Sequence, residues 1–88
     1  VITRDVTIVN PLGLHARPAA LVVKLASGFA SSIEIERDGM SINAKSIMGV
    51  MMLAAECGSV IRLKATGADA EAAIDALAAL VAAGFGES

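Results

Sequence analysis

The sequence predicts an α/β (α+β) two-layer, open-faced sandwich: an antiparallel sheet with one wet face and all of its helices packed on the other. Three observations predict it. Stretches of alternating apolar and polar residues at 32–37 and 59–66, and less regularly at 2–8, give strands with one polar face each, as antiparallel sheets open to water have. Segments beginning near Pro18 and Asp69 instead carry apolar residues at helical spacing. The resulting order, β-α-β-β-α-β-α, contains no repeat, linker or low-complexity stretch, and residues 1–88 read as one domain.

The elements follow in chain order. In ITRDVTI, Ile2, Val6 and Ile8 share one face and Thr3, Asp5 and Thr7 the other; Arg4 interrupts the apolar face, which an edge strand or strand end tolerates. Asn10, Pro11 and Gly13 supply a turn-rich loop. From Pro18 to about Ser27, Ala19, Val22, Val23 and Ala26 form a helical stripe that Leu21 and Leu25 broaden, and Gly28 stops it. SIEIER turns Ile33 and Ile35 inward and Glu34 and Glu36 outward. Asp38-Gly39 then signals a hairpin into MSINA, with Met40 and Ile42 on one face. Ile47 to Ala55, interrupted by Gly49, reads as a short helix ending near Gly58. SVIRLKAT sets Ile61, Leu63 and Ala65 against Arg62, Lys64 and Thr66. The last helix begins at Asp69, carries Ala73, Ile74, Leu77, Leu80 and Val81 on one stripe, and stops at Gly84; Asp69, Glu71 and Asp75 suit its positive end.

Composition narrows the functions. The apolar fraction of 56% supplies a core and argues against disorder. A net charge of −2 and only two aromatic residues, both Phe, leave neither a basic footprint nor a stacking platform for nucleic acid. No apolar run reaches the length of a membrane span and no leader is apparent, so neither membrane insertion nor export is expected. A single cysteine, Cys57, excludes an internal disulfide, fits a reducing cytoplasm, and with no cation or histidine nearby is expected to be a buried, inert thiol.

The only histidine sits in NPLGLHARPAA, at the mouth of the first helix. Proline suits a first helical turn, and it biases Arg17 away from helical torsions, so the boundary falls within residues 15–18. The opening amides of a helix lack intrahelical partners and, with the dipole, attract anions. A positive helix end disfavours imidazolium, leaving His15 a neutral nucleophile near neutral pH, and the guanidinium of Arg17 suits phosphoryl oxygens. No second titrating group lies near in sequence to activate water, which favours carrying a phosphoryl group over hydrolysing one. Catalysis by such a site needs positioning and charge stabilisation, with no metal and no cofactor. These residues alone leave two readings: a phosphoryl acceptor, or a capping or surface histidine in a turn.

NPLGLHARPAA, followed by NAKSIMGVMMLAA and ATGADAEAAIDAL, resembles the HPr family, the histidine-containing phosphocarriers of the bacterial phosphotransferase system, over essentially the whole chain. The resemblance implies that enzyme I, charged by phosphoenolpyruvate, phosphorylates His15 on Nδ1, that Arg17 contacts the phosphoryl group, and that the group passes to an enzyme II A domain for sugar uptake or regulation. Such a protein is a transient acceptor and donor more than a catalyst with turnover. The resemblance also implies sheet order 1-4-2-3 with three helices on one face; oligomeric state stays open, although a cytoplasmic carrier that visits several partners is most simply a monomer. Ser46 matches the serine phosphorylated by HPr kinase/phosphorylase in many members, where a catabolite-control transcription factor is a further partner. By position Ser46 is equally an ordinary N-cap, at which a phosphate suits the dipole. The family docks partners on this short helix and the first turns of helix one, implicating Ala16, Ala20, Leu21, Lys24, Ile47, Met48 and Met51; Met52 is assigned to the core. AAGFGES and the alanine-rich middle resemble nitrogen-branch (NPr-like) members, whereas KSIMGVM resembles members with the regulatory serine. Catabolite-control relatives lacking the histidine are excluded as close matches by His15. A regulatory binding module switched by Ser46 is the second reading, and a ferredoxin-like small-molecule sensor leaves LHARP unexplained.

Overall fold

A computed structural model of the chain, describing residues 1–87, contains four strands and three α-helices: β1 (Ile2–Thr7), α1 (Ala16–Ser27), β2 (Ser32–Arg37), β3 (Met40–Asn43), α2 (Ile47–Met52), β4 (Val60–Thr66) and α3 (Ala70–Ala82), with a 3₁₀ turn at Gly84–Gly86. The strands form one antiparallel sheet in the order β1-β4-β2-β3, the predicted open-faced sandwich.

Register explains which face is dry. Pairing sets Ile2 and Ile33 on either side of Ala65, and Ile35 between Leu63 and Ile42. These residues join Ala19, Val22 and Ala26 of α1, Val50 of α2, and Ala73, Ile74, Leu77 and Val81 of α3 in one apolar core. The opposite face is a ladder of charge: Arg62 lies between Asp5 and Glu36, with Nε 2.9 Å from Asp5 Oδ1, and Lys64 lies between Thr3 and Glu34. Slipping any strand by one residue exchanges these faces, so burial enforces the register.

At the β2–β3 hairpin, Asp38 (φ 50°) and Gly39 (φ 83°) both take left-handed torsions, as a two-residue turn matched to strand twist requires. Arg4, on the core side of edge strand β1, reaches out to pair with Asp75 of α3 at 2.7 Å. A cation on the apolar parity is thus held at the margin of the layer.

Several local expectations are corrected. Helix α1 starts at Ala16, inside the expected boundary at 15–18, and ends at Gly28 as expected, but Arg17 is helical despite the proline after it. Helix α2 is shorter than the apolar run suggested and stops at Met52. The carbonyls of Leu53 and Ala54 accept from Arg37 Nη1 at 2.9 and 3.4 Å, and that of Ala55 accepts from the Leu14 amide at 2.8 Å, so this segment serves neighbours instead of extending the helix. A Cβ on Gly49 would lie 3.3 Å from Ile42 Cβ; glycine lets α2 settle on β3, with Val50 and Leu53 inward. Met52 is consequently 63% exposed, not core. Cys57 is also exposed, because it occupies the turn before β4 and not a packed strand.

Candidate functional site

The 10–15 loop is built by its own backbone. The Gly13 amide donates to the Asn10 carbonyl at 3.1 Å, and the Leu14 amide ties the loop to Ala55. Gly13 has φ +67°, and a Cβ there would press against the Ala55 carbonyl and lie 2.9 Å from Glu56 Cα; a residue without a side chain is needed for this close approach. Leu14 is buried and fixes the exit direction, so that His15 becomes the N-cap of α1, with extended torsions (φ −84°, ψ −170°). Its carbonyl accepts the first helical bond from the Ala19 amide at 3.0 Å.

The His15 side chain makes no bond to the helix it caps. Its Nε2 lies 2.8 Å from Glu87 Oε2, while Glu87 Oε1 accepts from Asn10 Nδ2, also at 2.8 Å. Asn10 is only 2% exposed, and the same Nδ2 donates to the Gly13 carbonyl at 2.8 Å. The bond from Asn10, followed by the His15 ring and the nearby charge of Arg17, holds the Glu87 carboxyl below its ordinary value against partial desolvation. Glu87 is therefore ionised at neutral pH, and a carboxylate only accepts. Nε2 must then carry the hydrogen of this pair, which leaves the lone pair of a neutral ring on Nδ1. No partner for Nδ1 exists among the described residues.

The opening turn of α1 offers the means to hold an anion. The amides of Ala16 and Arg17 open α1 and have no intrahelical acceptor, Pro18 has no amide hydrogen, and the first turn carries no acid of its own. Arg17 is exposed and lines an open cleft of about 410 Å³ with Pro11, Leu12, Phe85, Gly86 and Glu87. Glu87 is the titrating neighbour judged absent from the sequence around His15. Both of its oxygens are engaged and it meets the ring at Nε2, away from Nδ1, so it is not placed to activate water there.

The remaining predicted residues lie on α1 and α2. Ser46 is the N-cap of α2, and its Oγ accepts from the Gly49 amide at 3.1 Å; it is outside the His15 hydrogen-bond cluster. Ala16, Ala20, Leu21 and Lys24 are exposed on α1, and Ile47, Met48 and Met51 on α2, with Met48 the most open at 70%. The two helices pack against each other, so the residues belong to neighbouring elements. Sequence reasoning missed Glu87 and the clamping role of Asn10. The available signal was Phe85 between two glycines: an aromatic residue in a short tail, buried on folding, with Phe85 at φ 58° and Gly84 at φ 63° turning the chain back.

Residues 2–83 match the family model described as "PTS HPr component phosphorylation site". The phosphocarrier protein HPr of Cupriavidus necator is 54% identical over 84 residues, 96% of this chain and 94% of that protein. The crystal structure of HPr-C-His from Thermoanaerobacter tengcongensis superposes with a TM-score of 0.96 at 49% identity, covering 100% of this chain and 99% of the other. The HPr-like protein Crh of Halalkalibacterium halodurans is 48% identical over 80 residues, 91% of this chain and 95% of that one. Whole-chain identity thus does not set this chain apart from Crh-type relatives, and the expected exclusion rests on His15 alone.

Proposed function

The chain belongs to the PTS HPr family, and from that premise we propose that it carries a phosphoryl group on Nδ1 of His15, between enzyme I and enzyme II A domains, in the cytoplasm. The observation that carries the reading is the ionised Glu87 carboxylate on Nε2, which leaves the Nδ1 lone pair free at the open end of α1. Nδ1 attacks phosphorus, the bond from phosphorus to the donor breaks, and its electron pair leaves with the donor. The helix amides of Ala16 and Arg17 and the Arg17 guanidinium face the charge on the transferred oxygens. Onward transfer is the same step in reverse, with the pair returning to Nδ1. Ala16, Ala20, Leu21, Lys24, Ile47, Met48 and Met51 form the docking surface, where flexible methionines suit several partners.

Ser46 supports a second, regulatory reading. Its hydroxyl caps α2 immediately before the exposed Ile47 and Met48, so a phosphate there changes the docking surface without touching the acceptor. The test is incubation with enzyme I and phosphoenolpyruvate, then intact-mass analysis of wild type, His15→Ala and Ser46→Ala. One acid-labile phosphoryl group on wild type and Ser46→Ala, and none on His15→Ala, is expected. No transfer to folded wild type overturns the carrier reading and leaves Ser46 as the leading site.

A further inference from the structure

Residue 87 lies beyond the 2–83 span that matches the family model, yet its side chain is the only protein group bonded to the His15 ring among the described residues. The tail that delivers it is a folded part of the molecule. Gly84 and Phe85 are buried, a Cβ on Gly84 would lie 3.7 Å from Asn10 Cβ, and the Glu87 amide donates to the Gly84 carbonyl at 3.0 Å. The Glu87 side chain is 16% exposed, against 36% for His15. Asn10 joins the two halves: one buried amide nitrogen holds both the Gly13 carbonyl, two residues before His15, and Glu87 Oε1. Its Oδ1 is buried with no partner among the described residues. An unsatisfied buried acceptor is costly, and what the arrangement gains is a carboxylate fixed against the ring.

We propose that Glu87, braced by Asn10, is the positioning residue of the acceptor: it fixes the ring as the Nε2–H tautomer, directs the phosphoryl group to Nδ1, and stabilises the charged ring that forms. The proposal rests on the phosphocarrier reading of His15. When Nδ1 bonds to phosphorus, the ring becomes a phosphoryl-imidazolium that keeps its Nε2 hydrogen, and the carboxylate at 2.8 Å faces that positive charge. When the N–P bond breaks in the onward step, the pair returns to Nδ1 and the neutral Nε2–H ring is recovered with no proton exchanged with water. A carboxylate on the far ring nitrogen thus serves acceptance and donation alike.

The test uses the whole protein, ¹⁵N-labelled, as wild type, Glu87→Gln, Glu87→Ala and Asn10→Ala, with folding checked by amide spectra. Imidazole ¹⁵N spectra of the unphosphorylated protein report the tautomer directly, whether or not enzyme I is supplied. Wild type is expected to show a dominant Nε2–H tautomer with a slowly exchanging ring hydrogen. In Glu87→Ala the Nε2–H to Nδ1–H ratio should fall by roughly tenfold, the worth of one charge-assisted hydrogen bond. Asn10→Ala should move the ratio part of the way, because the carboxylate remains unbraced. Glu87→Gln keeps one acceptor oxygen without the charge and cannot accept from the ring and from Asn10 on separate oxygens, so the ratio should move only part of the way while phosphoryl transfer slows, seen as a lower kcat with little change in KM. An unchanged tautomer ratio and unchanged transfer in Glu87→Ala overturn the positioning role while leaving the carrier reading intact. Failure of wild type to accept phosphate, with the tautomer response present, overturns the carrier reading instead.

Discussion

Alanine at position 13 separates two kinds of strain at the site loop. Gly13 and Gly39 both have positive φ, +67° and +83°, but their surroundings differ. A Cβ at position 39 meets nothing within 4 Å, whereas one at 13 meets the Ala55 carbonyl and Glu56 Cα, both backbone. Gly39→Ala should therefore cost only the left-handed conformation of an L-residue, about 1–2 kcal/mol. Gly13→Ala incurs the same conformational cost plus an overpacking cost of about 1–3 kcal/mol, because backbone atoms cannot rotate aside. Each substitution also lowers unfolded-chain entropy by a similar amount, which cancels in the comparison. Gly13→Ala should thus be less stable than Gly39→Ala by about 1–3 kcal/mol, with a Tm lower by at least about 4 °C for a domain of this size. Urea unfolding with equal m-values is the assay. The clash also strains the Leu14–Ala55 bond that aims His15, so phosphoryl acceptance should fall in Gly13→Ala and stay unchanged in Gly39→Ala. Stabilities within about 0.5 kcal/mol of each other would refute the reasoning, since that is the margin within which independent substitutions agree.

Two other perturbations follow from the packing. Asp69, at the start of α3, accepts from the Ser31 hydroxyl and from the Ala30 and Ser31 amides, each amide at 2.9 Å; the Ser31 hydroxyl first, then these amides, hold its carboxyl below the ordinary 3.8. A depressed carboxyl contributes stability above its unfolded value and loses it as pH falls through the folded one. Asp69→Asn should therefore lower stability at neutral pH and flatten its decline below 3.8; an acid-unfolding profile parallel to wild type would count against this. Leu77 of α3 is 1% exposed in the core, and Leu77→Ala should cost about 2–5 kcal/mol in urea unfolding. A loss below about 1 kcal/mol would mean that α3 collapses into the gap instead of leaving a cavity.

Local pattern was a good guide wherever a residue's environment follows from its near neighbours. Alternation in SIEIER and VIRLKAT placed Ile33, Ile35, Ile61, Leu63 and Ala65 on one face, and all five are buried. Asp38-Gly39 announced the hairpin, and His15 before Pro18 announced the mouth of α1. The errors arose where a distant segment decides. Arg37, sixteen positions away, donates to the Leu53 carbonyl beyond the end of α2. A six-residue helix on β3 has too little buried face to hold Met52. Cys57 is apolar by type, yet it sits in a turn that the β1–β4 pairing pushes to the surface.

The proposed acceptor site divides in the same way. The sequence by itself determined the sandwich, the place of His15 at its helix end, and the cation of Arg17 beside it, because each depends on a few consecutive residues and on periodicities of 2 or 3.6. Only the tertiary structure decided which ring nitrogen is free, because Glu87 is 72 positions from His15 and Asn10 is 77 from Glu87. Closing a chain loop of that length depends on the whole sheet and on the burial of Phe85, and no local pattern encodes it.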